Sequence, residues 1–218
     1  MSEALLSVVL ATTDERKRAE LQRFLADLPV AWLGVRELLG ADYAHPLGVG
    51  SSLEESARSK AKAVCEATGL WCLSDASGLE VEALDWKPGA RSEVFAHDRA
   101  TDAENNAALL SALEEVSDEE RRARFRAVLC LVSPWQGELA CVEGAIGGRI
   151  ARSAQGSGGF GYGPLLLLDE LPGKTLSNMS DAERDIFGHR ARAVKALRPL
   201  FLGHIDALLD ETERIAGP

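Results

Sequence analysis

The chain is poor in cationic residues: 24 Lys and Arg stand against 34 Asp and Glu, a formal net charge of -10. That balance argues against a nucleic-acid polymer as partner, because such proteins present a broad basic surface. A small polyanion is still allowed, since it needs only a local cluster of cations and free backbone N–H groups. Cysteine is sparse as well. Cys65, Cys72, Cys130 and Cys141 form no C-x-x-C pair, and no Cys/His cluster has zinc spacing. Their apolar surroundings predict buried, reduced thiols in a cytoplasmic protein. No stretch reaches the ~18 apolar residues needed to span a bilayer, so no membrane partner is expected. The opening run MSEALLSVVLATT has no basic segment and only a short apolar one, and reads as a first strand rather than a signal peptide. Two phosphate-binding signatures are also missing. Gly173-Lys174-Thr175 lacks the upstream glycine of a P-loop, and the glycines after Gly156 do not follow a first strand as a dinucleotide-binding turn requires.

What is present is the composition of an ordinary globular protein, 46% hydrophobic and 27% charged over 218 residues. This length fits one domain, 1–218, with a sizeable core. Strand-like and helix-like segments alternate, which predicts an α/β architecture. LLSVVLATT reads as a buried strand, and Asp14 can cap a helix over 15–27 whose Leu21, Phe24, Leu25 and Leu28 share a face. VAWLGV is a second strand after Pro29. Ser52 and Glu55 form a capping box ahead of a helix that Gly69 stops near Thr68. A strand over 71–74, a helix capped by Thr101 or Asp102, and an antiparallel pair over 123–132 and 138–151 follow. LLLL reads as a further short strand. The last third reads as helical over 180–187 and again from Arg190, with Pro199 a kink or break.

Four constellations carry chemistry. In L-A-T-T-D-E-R-K, Leu10 to Lys17, a strand turns into a helix whose first N–H groups, with Thr12 and Thr13, face an anion and whose Lys17 adds a mobile charge. Physics alone favours reading Lys17 as a solvated helix lysine. In S-L-E-E-S-A-R-S-K-A, Ser52 to Ala61, Ser56 and Lys60 share one helix face. The loop G-S-G-G-F-G-Y-G-P lets backbone approach a flat ligand and gives it Phe160 to stack on. The fourth is Gly173-Lys174-Thr175 followed by D-A-E-R-D-I-F-G-H-R-A-R-A, where His189 and Arg190 offer paired donors.

These segments, together with S-D-A-S-G-L-E-V-E-A-L-D-W-K-P-G from Ser74 to Gly89, resemble the motifs of the ITP/XTP pyrophosphatase family of purine nucleoside triphosphate pyrophosphatases, in order and with similar gaps. The resemblance implies an elongated α/β fold, with a central twisted mixed sheet, flanking helices and a nucleotide cleft between two lobes. It also implies a homodimer, a purine nucleotide ligand and magnesium. By the same resemblance Asp75, Lys17 and Glu55 are the candidate catalytic residues. Thr12, Thr13, Lys17, Lys60, Ser77, Gly78, Phe160, Gly161, Tyr162, Lys174, Arg184, His189 and Arg190 are the candidate nucleotide contacts, and no metal ligand is assigned.

The departures matter as much as the matches. The second aspartate of the family's A-D-D-S-G, a metal ligand and candidate base, falls on Ala76, and the glutamate of its E-x-G element falls on Gly48. Asp14, Ser56, Gly163, Asn178 and Gly188 also replace family residues, and Arg184 stands for a lysine. Asp14 places a carboxylate where it would repel a triphosphate unless turned away or bound to a cation. At Ala76 a methyl group neither ligates a cation nor accepts a proton. The resemblance therefore implies nucleotide binding with hydrolysis of ITP, dITP or XTP weak or lost. Full activity through a substitute carboxylate, or a non-catalytic scaffold, stand as alternatives.

Overall fold

The computed structural model describes residues 6–45, 50–156 and 160–216. Strand β1 (Leu6–Ala11) leads through helix α1 (Glu15–Phe24) to strand β2 (Val30–Gly34), which pairs with it in parallel. A short helix α2 (Val35–Leu39), not expected from the sequence, then precedes α3 (Leu53–Thr68). Strand β3 (Trp71–Val81) lies parallel to β1 on its other side. Its far edge pairs with β5 (Arg122–Ser133), which continues antiparallel to β6 (Gly137–Ile150) and on to β7 (Leu166–Leu168). The two-residue β4 (Lys87–Pro88) also pairs with β3, so the order β2-β1-β3-β5-β6-β7 makes one mixed sheet.

Alternation along β3 sorts the core. Leu73 points into a cluster with Leu21 and Leu25 of α1 and with Leu197, Phe201 and Ile205 of α6 (His189–Ala216), the helix after the short α5 (Asp181–Phe187). Cys72 and Ala76 point to the opposite face, under Ala57, Ala61 and Val64 of α3. Beyond Leu79 a third cluster forms from Val81, Phe125, Ile146, Leu166 and Leu109 of α4 (Asp102–Ala112). Helices thus flank both faces of the sheet, and among the described residues none is long and apolar enough to cross a membrane.

Four expectations need correction. β3 runs on through Val81 instead of stopping at Ser74, because Asp75 to Val81 pair residue by residue with Leu129 to Ala123 of β5. Pro199 lies inside the last helix and does not break it into two. The helix loses one backbone hydrogen bond there, and the burial of Leu197, Phe201 and Ile205 on either side holds it together. The cysteines are not all thiols. Cys130 and Cys141 face one another across β5 and β6 with Cα atoms 4.2 Å apart, and they form a disulfide. Cys65 and Cys72 are buried and free. The capping box at α3 is half made: Ser52 accepts from the Glu55 N–H, while the Glu55 carboxylate turns to Ser51 instead.

Two glycines allow close approaches that position the candidate site. A Cβ at Gly78 would sit 2.1 Å from the carbonyl oxygen of Gly89, so β3 and the 3-10 turn Gly89–Val94 pack together only without it. At Gly144 a Cβ would lie 2.3 Å from the carbonyl of His189, which seats the start of α6 directly on β6.

Candidate functional site

Where β1 passes into α1, Asp14 takes the N-cap position. Its carboxylate accepts from the N–H groups of Arg16, at 2.8 Å, and Lys17, and from the Arg16 side chain. The carboxylate that would repel a phosphate is thus tied into the helix start. Its pKa is lowered, because Arg16 and Lys17 outweigh the opposing effect of burial. One turn on, Lys17 is almost fully buried. Its ammonium lies 2.7 Å from Glu93 Oε1 and 3.9 Å from Asp75 Oδ1.

Asp75 is itself fully buried on the α6 side of β3. Arg190 Nε donates to its Oδ2 at 2.8 Å, and the Ser77 hydroxyl to its Oδ1 at 3.3 Å. The same guanidinium donates to Ser77 Oγ at 3.1 Å and to Glu20. Burial opposes ionisation of Asp75, yet the charges of Arg190, Lys17 and Lys60 overcome it and hold the carboxyl at about 2. His189, stacked on Phe125 with ring centroids 5.3 Å apart, goes the other way. Burial, helped by Arg190, pushes its pKa down to about 3, so the ring is neutral. Its Nδ1 has no partner among the described residues.

These groups border two adjoining cavities. The larger, about 500 Å³, is lined by Lys17, Ser77, Phe160, Arg184, His189 and Arg190 among others. The smaller, about 250 Å³, is lined by Thr12, Thr13, Lys17, Lys60, Ala76 and Glu93 among others. Lys17, Ser77 and Glu93 line both, which makes them one cleft with a wide arm and a narrow, cationic arm. In the narrow arm the Lys60 pKa is lowered by burial and by Lys17. His45, also there, is held at about 4 by burial and by Lys60.

Most residues singled out in the sequence meet here. Gly78, Gly161 and Tyr162 also line the wide arm, although the Tyr162 hydroxyl donates inward to the Ser92 carbonyl at 2.9 Å and serves the wall. Three candidates stay outside both arms: Glu55, Lys174 and Asp75, which is buried in the wall behind Lys17 and Arg190. Glu55 is exposed and accepts from the Ser51 N–H at 2.7 Å and from its hydroxyl at 2.9 Å. Lys174 pairs with Glu183 at 2.5 Å. Gly48 lies outside the described residues. Other residues of the cleft gave no signal in the sequence. Glu93 is one, brought to Lys17 by the turn that packs on Gly78. Arg16 is another: its guanidinium sits 4.4 Å from the Phe160 ring centroid and pairs with Asp102.

Comparisons with known proteins agree on the family of the chain. The dITP/XTP pyrophosphatase of Mycolicibacterium paratuberculosis is 40% identical over 193 residues, covering 88% of this chain and 94% of that protein. The dITP/XTP pyrophosphatase of Thermus thermophilus is 42% identical over 194 residues, covering 88% and 90%. Among solved structures, a HAM1 protein from Coxiella burnetii superposes with a TM-score of 0.81 at 32% identity, covering 91% of this chain and 99% of that one. With the family model matching residues 8–200, the chain belongs to the Ham1 family.

Proposed function

We propose that the cleft binds a purine nucleoside triphosphate with a 6-keto base and releases pyrophosphate from it slowly. The observation that carries this reading is the continuity of the two arms. A wide arm with an aromatic face and a neutral histidine opens into a narrow arm with two lysines, and Lys17 stands at the junction. Those are the needs of a flat base at one end and a polyphosphate at the other. The names of the relatives supply the substrate class.

In this reading the base rests on Phe160, and Arg16 moves off the ring or covers the far side of the purine. His189 and Arg184 read the base edge. Arg190, already held by Asp75, Glu20 and Ser77, fixes the wall between the arms rather than the base. The triphosphate runs past Lys17 to Lys60, with the first N–H groups of α1 behind it. Asp75 holds Lys17 in place from behind, since it faces away from the narrow arm and is already bound by Arg190.

Magnesium is expected in such a reaction, where it draws negative charge from the phosphates. The donor set fits an ion of this kind. Magnesium commonly takes one or two protein carboxylates and completes its shell with phosphates and water. Among the described residues, Asp14 and Glu93 are the carboxylates lining the narrow arm. Asp14 is consumed in capping α1, so Glu93 would hold the ion, with the hydroxyls of Thr12, Thr13 and Ser56 nearby. The aspartate that the resemblance leads one to expect is replaced by Ala76, whose methyl group supplies no ligand and no base. Slow turnover follows from that loss. A homodimer and a cytoplasmic setting belong to the same proposal.

Calorimetric titration with ITP, XTP and ATP in the presence of magnesium tests the binding half. ITP and XTP binding at least tenfold more tightly than ATP supports it; equal binding of all three contradicts it.

A further inference from the structure

Among the described residues no group of three or more His, Cys, Asp and Glu side chains is placed to hold a metal. The narrow arm nevertheless contains one carboxylate that is neither buried nor spent on a helix cap. Glu93 sits on the Gly89–Val94 turn and lines the arm together with Ala90 and Ala76. Its side chain is 56% exposed, and its partner is Lys17, at 2.7 Å. Lys17 is the lysine that stands where the wide arm meets the narrow one, because it lines both.

A phosphate oxygen and the Glu93 carboxylate therefore compete for one ammonium. A buried ammonium beside a polyanion will not also stay close to a half-exposed glutamate, since the phosphate carries more charge and brings the glutamate under its own repulsion. The side chain of Glu93 is free to swing. It is exposed to the cleft, and its carboxylate makes no other hydrogen bond among the described residues. Its motion is confined by Gly78, which locks the turn against β3 and so keeps the carboxylate near the segment that contains Ala76.

Resting on the nucleotide reading above, we propose that Glu93 and Lys17 exchange partners when a triphosphate enters. Lys17 passes from Glu93 to the phosphate, and the released Glu93 becomes the carboxylate contact for a divalent cation on the side of the cleft where Ala76 offers none. Charge stays paired before and after: ammonium with carboxylate in the empty cleft, ammonium with phosphate and carboxylate with cation in the filled one. Glu93 is then both a guard on Lys17 and the stand-in for a carboxylate lost from the neighbouring strand.

The exchange predicts opposite effects of one substitution on two equilibria. The probe is α,β-methylene ITP, which resembles the substrate and is not cleaved between the α and β phosphorus atoms. Its affinity is measured by calorimetry in EDTA, and the affinity of the protein–analogue complex for Mn²⁺ by the paramagnetic resonance of free Mn²⁺. Glu93→Gln is expected to tighten metal-free binding of the analogue about threefold, because Lys17 loses its competitor, and to weaken Mn²⁺ binding to the complex at least about tenfold. Glu93→Asp is expected to recover part of the Mn²⁺ affinity, which a merely structural role would not do. Unchanged Mn²⁺ affinity in Glu93→Gln, or weaker metal-free binding of the analogue, overturns the exchange while leaving the nucleotide reading in place. Failure of the wild-type protein to bind the analogue with or without Mn²⁺ overturns both.

Discussion

Asp75 and Ala76 are neighbours on β3, yet they serve opposite faces of the sheet. The Asp75 carboxylate lies 2.8 Å from Arg190 Nε on the α6 side, while Ala76 packs under α3 and borders the narrow arm of the cleft. The alternation of a strand forbids one from taking the other's place without a bulge, and β3 keeps an unbroken register with β5 through both positions. Asp75 therefore orders the wall behind the cleft and does not present its carboxylate on the Ala76 side.

That assignment makes Asp75 a stability residue first. In Asp75→Asn, Arg190 and Lys17 lose the buried negative charge they share. Removing one partner of a buried pair typically costs about 3–5 kcal/mol. Urea unfolding of the variant is expected to show a loss of this order, together with loss of nucleotide binding. A variant as stable as the wild type would show that the pair is not held as described.

Acid should weaken the fold in two stages. His189 is neutral in the folded protein, held at about 3 by burial and by Arg190, whereas an unfolded histidine titrates near ~6.5. Below that value the unfolded chain binds a proton the fold refuses, so stability falls as pH drops from about 6.5 towards 3. Asp75 adds a second loss. Its folded pKa of about 2 is below that of a free aspartate near ~3.9, so its contribution is intact above the latter and disappears as pH falls towards 2. Thermal melts from pH 7.5 to pH 4 should show a steady decline, and His189→Gln should flatten it. An equally steep decline in the variant would assign the first stage elsewhere, with His45, held at about 4, the next candidate.

Phe160 is the aromatic face of the wide arm. Stacking of a base on such a ring is worth about 1–3 kcal/mol. Phe160→Ala should therefore weaken ITP binding by roughly 5- to 150-fold, and it should also release Arg16, which now covers the ring. Calorimetry with ITP and with inorganic triphosphate separates the effects: the loss is expected for ITP alone. An equal loss for both would mean that the phosphate arm has been disturbed instead.

Much of this was legible in the sequence, and the failures have physical causes. β1, α1 and α3 were visible because apolar period and caps agreed, as Asp14 and Ser52 show. The end of β3 was not visible, since Ser77 and Gly78 look like turn residues until β5 is seen to pair with them. Pro199 was read locally, but Phe201 and Ile205 decide its helix through tertiary burial. The disulfide depends on a register that places Cys130 opposite Cys141, which no spacing rule announces. Within the site, Lys17, Phe160, His189 and Arg190 were found through motifs. Glu93 was missed because an isolated glutamate in a turn, 76 residues from its partner, carries no local signal.

The central claim is that this cleft acts on 6-keto purine triphosphates but has lost a carboxylate at Ala76. It is tested most directly by pyrophosphate release from ITP, XTP, GTP and ATP, with magnesium, by the wild type and by Ala76→Asp. A positioned carboxylate acting on water contributes about 10²–10⁴-fold to rate. The account predicts slow wild-type release from ITP and XTP, none resolved from ATP, and a rise of about tenfold or more with Ala76→Asp. The rise stays below the full factor because Glu93 already supplies one carboxylate and groups of one site are not additive. Fast wild-type turnover that Ala76→Asp fails to increase, or release from ATP as rapid as from ITP, would contradict it.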